Sequence, residues 1–114
     1  MSDTHPRDAR PIHLDDEADL DAFVDRDGVA LVEFYTDGCG ICAGMEPVLG
    51  NVARSTDAAV GLVNPRDDPP LVERFAVSSV PLLVVFVDGE AVDHRAEGFV
   101  GGDDLTAWLA EHGA

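Results

Sequence analysis

Apolar positions along the chain alternate between short β-like runs and helical stripes. Residues 1–10 are polar and read as a mobile tail ahead of a domain over 11–114. Pro11–Leu14 suits a short strand whose first position tolerates a residue with no N–H. Leu20, Phe23 and Val24 then recur at helical spacing, with Asp16 as the N-cap. Asp27–Gly28 is a turn signal. The run Val29–Thr36 is apolar and β-prone, which predicts a strand buried on both faces.

Ile41, Met45, Val48, Leu49 and Val52 form the next helical stripe. Pro47 lies inside it and predicts a kink, because it removes an N–H and crowds the carbonyl of Ala43. Ala58–Asn64 reads as a strand, and "PRDDPP" as a loop in which Asp68 caps a short helix with Pro69 at its first position, ending at Phe75. Leu82–Val87 is another strand, joined by a tight Asp88–Gly89 hairpin to a last one near Glu90–Ala96. "DDLTAWLAEH" closes the chain as a helix with acids in its first turn and Leu105, Trp108 and Leu109 facing inward. The order β-α-β-α-β-α-β-β-α predicts an α/β fold. Right-handed crossovers give a parallel centre, the hairpin adds antiparallel strands, and helices cover both faces of the mixed sheet.

With 114 residues and 46% hydrophobic content, one domain with a real core is expected. No stretch of about 18 apolar residues exists, and the N-terminus has no apolar signal region. The expected location is therefore the cytoplasm, where structural disulfides are disfavoured. Charge changes the picture more than length does. Twenty-three acids, sixteen of them Asp, face seven Arg and no Lys, for a net charge of −16. Such a surface repels nucleic acid and anionic membranes. Acid excess spread along the chain, with Lys absent, resembles the proteins of halophiles that accumulate salt, in which self-repulsion is screened by concentrated ions.

The candidate chemistry is C-G-I-C, Cys39 to Cys42, between the strand Val29–Thr36 and the helix after it. Unpaired N–H groups at a helix N-terminus favour a thiolate at the first cysteine, while the second lies one turn inward. Cys39 would then attack a disulfide and Cys42 would resolve the intermediate. A metal clip needs four ligands, and His5, His13, His94 and His112 make no ligand pair, so no metal is expected and each histidine reads as a surface residue. Glu33 is a lone carboxylate inside an apolar strand. Burial without a cation raises a carboxyl pKa, and such a group can take the Cys42 proton. The competing reading is a strand-end carboxylate pointing to water. No Lys, Arg or His lies between Thr36 and Val52, while Asp37 and Glu46 flank the pair. That predicts a weakly stabilised Cys39 thiolate and a reducing protein.

"ALVEFYTDGCGICAGMEPVLG", "SSVPLLVVFVDGE" and "EGFVGGDDLTAWL" together resemble the thioredoxin family, in order, from about Pro11 to the C-terminus. The resemblance implies the thioredoxin fold and a thiol–disulfide oxidoreductase that reduces protein disulfides. Pro81 matches the family's cis-proline, which aims the Val80 backbone at an incoming peptide. Gly98 matches the glycine that lets substrate approach. Gly38, Gly40 and Ile41 complete the expected docking surface, with Glu33 where the family usually has Asp. The chain departs from the pattern at Gly38 (usually Trp), at Ile41 (usually Pro), at Tyr35 (often Trp), and at Leu62, which stands where the family has a Lys near the buried acid. A monomer is expected, with disulfide-bearing client proteins and a thioredoxin reductase or other thiol donor as partners. With no nucleotide-binding glycine fingerprint, no cofactor of its own is expected. The rival readings are a more oxidising disulfide exchanger or isomerase, a non-catalytic binding module on the same fold, and a metal carrier sharing two chains' cysteines.

Overall fold

The computed structural model describes residues 9–114. The expected tail lies mostly outside them, at residues 1–8. The elements follow as β1 (Ile12–Leu14), α1 (Glu17–Val24), β2 (Val29–Phe34), α2 (Gly40–Ser55), β3 (Ala59–Val63), α3 (Pro70–Arg74), β4 (Leu82–Val87), β5 (Glu90–Arg95) and α4 (Gly102–Glu111). The five strands lie in the order β1-β3-β2-β4-β5. β3 runs parallel to both β1 and β2, whereas β4 is antiparallel to β2 and to β5.

Strand alternation divides the core in two. Leu31, Leu62, Leu83 and Val85 face Met45, Leu49 and Val52 of α2 and Leu105, Trp108 and Leu109 of α4. Val32, Phe34, Val63, Val84 and Phe86 face Leu20 and Phe23 of α1 and Leu71 of α3. The sheet lies so close to α1 that Gly61 is required. A Cβ there would meet the Phe23 ring at 2.9 Å and Leu14 at 3.0 Å. Both Asp-Gly turns form as expected, and they meet. Gly28 N donates to Asp88 Oδ1 at 2.7 Å, and Asp88 N donates to the Gly28 carbonyl at 3.0 Å.

Several expectations need correction. "PRDDPP" is not all loop: Pro65–Asp67 is a 3₁₀ turn capped by Asn64, whose Oδ1 accepts from Arg66 N. α3 begins one residue later than expected, with Pro69 at the N-cap and Pro70 opening the helix. Asp68 is not its cap. Its carboxylate instead accepts from Glu17 N at 2.9 Å, tying this loop to α1. Ile41 fits the apolar stripe of α2 by spacing but is 51% exposed, which suits its place in the expected docking surface rather than the core. Pro47 lies inside α2 as expected, and the helix runs on past it to Ser55. His112 is no free surface residue. It is half-buried, with Nε2 3.0 Å from Asp93 Oδ2.

Candidate active site

The dithiol sits where β2, at the centre of the sheet, hands over to α2. Gly38 takes a φ of 80°, a left-handed conformation that turns the chain into the helix at little cost. Cys39 is the N-cap of α2: its Sγ accepts the Cys42 backbone N–H at 3.1 Å, and its carbonyl accepts from Ala43 N at 3.0 Å. The unpaired donors of the helix end therefore point at this sulfur, where they stabilise negative charge. The two cysteines are joined as a disulfide, with Cα atoms 5.2 Å apart. They differ in access. Cys39 is half-buried, whereas Cys42 is 3% exposed.

Below them lies a cavity of about 170 Å³ lined by Glu33, Tyr35, Cys39, Cys42, Glu46 and Leu62, among others. Val29, Leu31 and Glu33 alternate onto the α2 side of β2, which is why a carboxylate arrives beneath the second cysteine. Glu33 is 1% exposed and is paired in register with Leu62 on one side and Leu83 on the other. Its Oε2 has no hydrogen-bond partner, and no ion pair includes it among the described residues. The reading of Glu33 as a strand-end carboxylate pointing to water is thus excluded. Burial pushes its carboxyl pKa up to about 8, and the negative charge of Glu46 adds to the rise. The Tyr35 hydroxyl is raised too, first by burial and then by Asp37 and other acids around it. None of the residues lining this cavity is Lys, Arg or His.

The remaining expected residues surround the dithiol less evenly. Val80–Pro81 is a cis peptide, with Val80 half-buried and Pro81 buried. Gly98 has a φ of 88°, and nothing lies within 4 Å of the Cβ it lacks. Gly38, Gly40 and Ile41 are exposed. Two residues were missed from the sequence. Phe99, 57% exposed, follows Gly98 in a segment anchored to α2 by Val100 N donating to Met45 Sδ at 3.4 Å. Its signal was a large apolar residue beside the expected docking glycine. Glu46 was noted only as a flanking acid, yet it lines the cavity, and its spacing of seven from Cys39 and four from Cys42 was the available signal. No group of three His, Cys, Asp or Glu side chains converges to hold a metal among the described residues. No helix there is long and apolar enough to cross a membrane.

A helix-capping cysteine, a shielded partner one turn on and a buried acid beneath them define a dithiol–disulfide exchange site on a mixed sheet covered by two helices per face. The thioredoxin family model matches residues 11–111, and the chain belongs to the thioredoxin family. It is 36% identical to a thioredoxin of Chlamydia caviae over 86 residues, covering 75% of this chain and 83% of that protein. It is 33% identical to one from Staphylococcus epidermidis over 98 residues, covering 84% and 92%. A solved structure of a mutant thioredoxin from Halobacterium salinarum matches with a TM-score of 0.88 and 31% identity, over 96% of each chain. The fold is thus the thioredoxin fold, and the chain is a protein-disulfide oxidoreductase whose redox pair is Cys39 and Cys42. Membership implies disulfide substrates and a reductase or other thiol donor in general. The Halobacterium neighbour supports the halophilic reading of the composition.

Proposed function

We propose that this protein is a monomeric cytoplasmic reductant of client-protein disulfides, with 11–114 as its catalytic unit and 1–10 a tail outside it. The Cys39 thiolate attacks one sulfur of the client disulfide. The other client sulfur leaves as a thiolate, and a mixed disulfide remains on Cys39. Glu33, in its carboxylate form, takes the Cys42 proton directly or through water. The Cys42 thiolate then attacks Cys39 Sγ and expels the second client thiolate. Two electrons pass to the client, and the protein is left as the disulfide. Recycling runs the steps in reverse: a donor thiolate attacks Cys39, and the protonated Glu33 returns a proton to the departing Cys42.

The observation that carries this reading is the asymmetry of the pair. Cys39 is accessible and receives a helix N–H, while Cys42 is shut in with an unpartnered acid. The client would lie along the half-buried Val80 backbone beside the cis peptide, pairing as an added strand. Gly98 leaves room for its main chain, and Ile41 and Phe99 offer apolar contact. Gly38 and Gly40 keep the approach to Cys39 open. A net charge of −16 argues against nucleic acid and anionic membranes as partners.

Among the described residues no Lys, Arg or His lines the cavity beside the dithiol, and helix N–H groups steady the thiolate, which supports a reductant over an oxidant. The test is reduction of insulin in molar KCl, combined with trapping of clients. Wild type should reduce insulin with a dithiol donor. Cys42→Ser should accumulate mixed disulfides, and Cys39→Ser should accumulate none. The reverse trapping pattern overturns the roles, and a strongly oxidising equilibrium with glutathione overturns the direction.

A further inference from the structure

Two carboxylates line the cavity beside the dithiol, and only Glu33 has been given a task. Cys39, Cys42 and Glu46 stand at i, i+3 and i+7 along α2 and so share one face of the helix. All three line the cavity that Glu33 closes from the sheet side. Glu33 is fully buried with an orphaned Oε2, and Glu46 is exposed. The cavity is therefore a passage between a buried acid and a solvated one, with room for a few water molecules. The groups that face Glu33 are few. Helix α2 brings Cys39, Cys42 and Glu46, the β2–α2 segment brings Tyr35 and Asp37, and β3 and β4 bring only Leu62 and Leu83. No cation is among them.

We propose that Glu46 is the outer half of a carboxylate pair with Glu33, a positioning residue that holds the proton on Glu33 from the mouth of the cavity and so sets the pH at which Glu33 serves Cys42. The proposal rests on the reading of Glu33 as the proton partner of Cys42. The physical basis is like-charge repulsion across the small cavity that both carboxylates line: two carboxylates that share a site do not both ionise freely. Of the charged groups nearby, Glu46 is the one whose field adds to burial in raising Glu33. The pair thus behaves as a single proton-handling unit whose inner member holds the proton near neutrality. In the resolving step the proton passes from Cys42 Sγ to a Glu33 carboxylate oxygen, the Cys42–Cys39 bond forms, and the bond from Cys39 to the leaving sulfur breaks. That step needs Glu33 ionised, and a charge on Glu46 makes this form scarcer.

The test uses the full chain in molar KCl. A mixed disulfide of Cys39 with thionitrobenzoate is prepared on protein held at low pH, and release of the coloured thiolate by Cys42 is followed against pH. Separately, the side-chain carboxyl carbon of Glu33 is titrated by NMR in the oxidised protein. Glu46→Gln should move the Glu33 titration to lower pH and speed thiolate release at neutral pH by about threefold. Glu46→Asp should restore both. A purely surface role for Glu46 would leave the Glu33 titration and the pH profile where they are, and that result overturns the proposal. Failure of the underlying reading looks different. In that case Glu33→Gln would leave the release profile unchanged, while the carbon titration would still report whether Glu46 acts on Glu33.

Discussion

Glu33 on β2 and Asp93 on β5 are both carboxylates turned toward the helices of the same sheet face, and the fold treats them oppositely. Asp93 Oδ2 accepts from Trp108 Nε1 at 2.8 Å and lies 3.0 Å from His112 Nε2, while Oδ1 accepts from His94 N. Arg95 packs over the Trp108 ring close by. These donors, Trp108 first, hold the Asp93 carboxyl below its ordinary range. Glu33 has Leu62 and Leu83 beside it, no partner for Oε2, and a pKa raised to about 8. Donors make an acid a fastener, joining β5 to α4. Their absence makes an acid a proton store. The chain has put the store beneath the sulfur that must lose a proton.

The largest effect that would break this comparison is on stability at high pH. Glu33 has a folded-state pKa above its unfolded value, so between about 4.5 and 8 the native state holds a proton that the unfolded state has released. Stability therefore falls as pH rises through that window, by an amount on the order of 4 kcal/mol. Glu33→Gln should abolish the fall, gaining most of that amount above about pH 8 and almost nothing near pH 4.5. Denaturant unfolding across this range checks it, and equal slopes for the two proteins would refute the burial argument.

A smaller effect of opposite sign is expected at Asp93. Its lowered pKa contributes stability that is present above the unfolded value and lost as pH falls through the folded one. Asp93→Asn should destabilise by about 1 kcal/mol at neutral pH, since the carboxylate is partly exposed and screened. The gap should close in acid below about pH 4. Thermal unfolding of the two proteins at neutral and acid pH measures this.

Salt gives the smallest and most discriminating contrast. The unfolding midpoint of the whole chain should rise between dilute and molar KCl as the charge of −16 is screened. Within that rise, the Asp93→Asn difference should shrink while the Glu33→Gln difference persists, because desolvation is not screened by ions. Parallel loss of both differences would mean that Glu33 is governed by surface charge after all.

How much of this was legible in the sequence follows from how local each cause is. The strand Val29–Phe34 and the stripe Met45, Leu49 and Val52 were readable because period and burial coincide there. Glu33 could be singled out because a charge in an apolar run needs a reason. The 3₁₀ turn at Pro65–Asp67 escaped, since Asn64 as its cap competes with a reading of the same residue as a strand end. Asp68 looked like a helix cap, yet its partner is 51 positions away at Glu17. The ties of Asp93 to Trp108 and His112 likewise join separate elements, and nothing near Asp93 in the chain announces them. Ile41 obeyed the helical period yet is 51% exposed, so its place in the docking dipeptide, not its spacing, told where it lies. Glu46 was visible in the sequence, but its meaning depended on learning which side of α2 faces Glu33.

The central claim is that burial raises the Glu33 carboxyl to about 8, so that it is mostly protonated near neutrality, with a minority carboxylate form left to take the Cys42 proton. Infrared spectra of the oxidised protein in molar KCl, at about pH 6 and about pH 10, with Glu33→Gln as the reference, test it most directly. The account predicts a protonated carboxyl band at the lower pH that disappears at the higher one and is missing from the variant throughout. A Glu33 that is already ionised at the lower pH would contradict it.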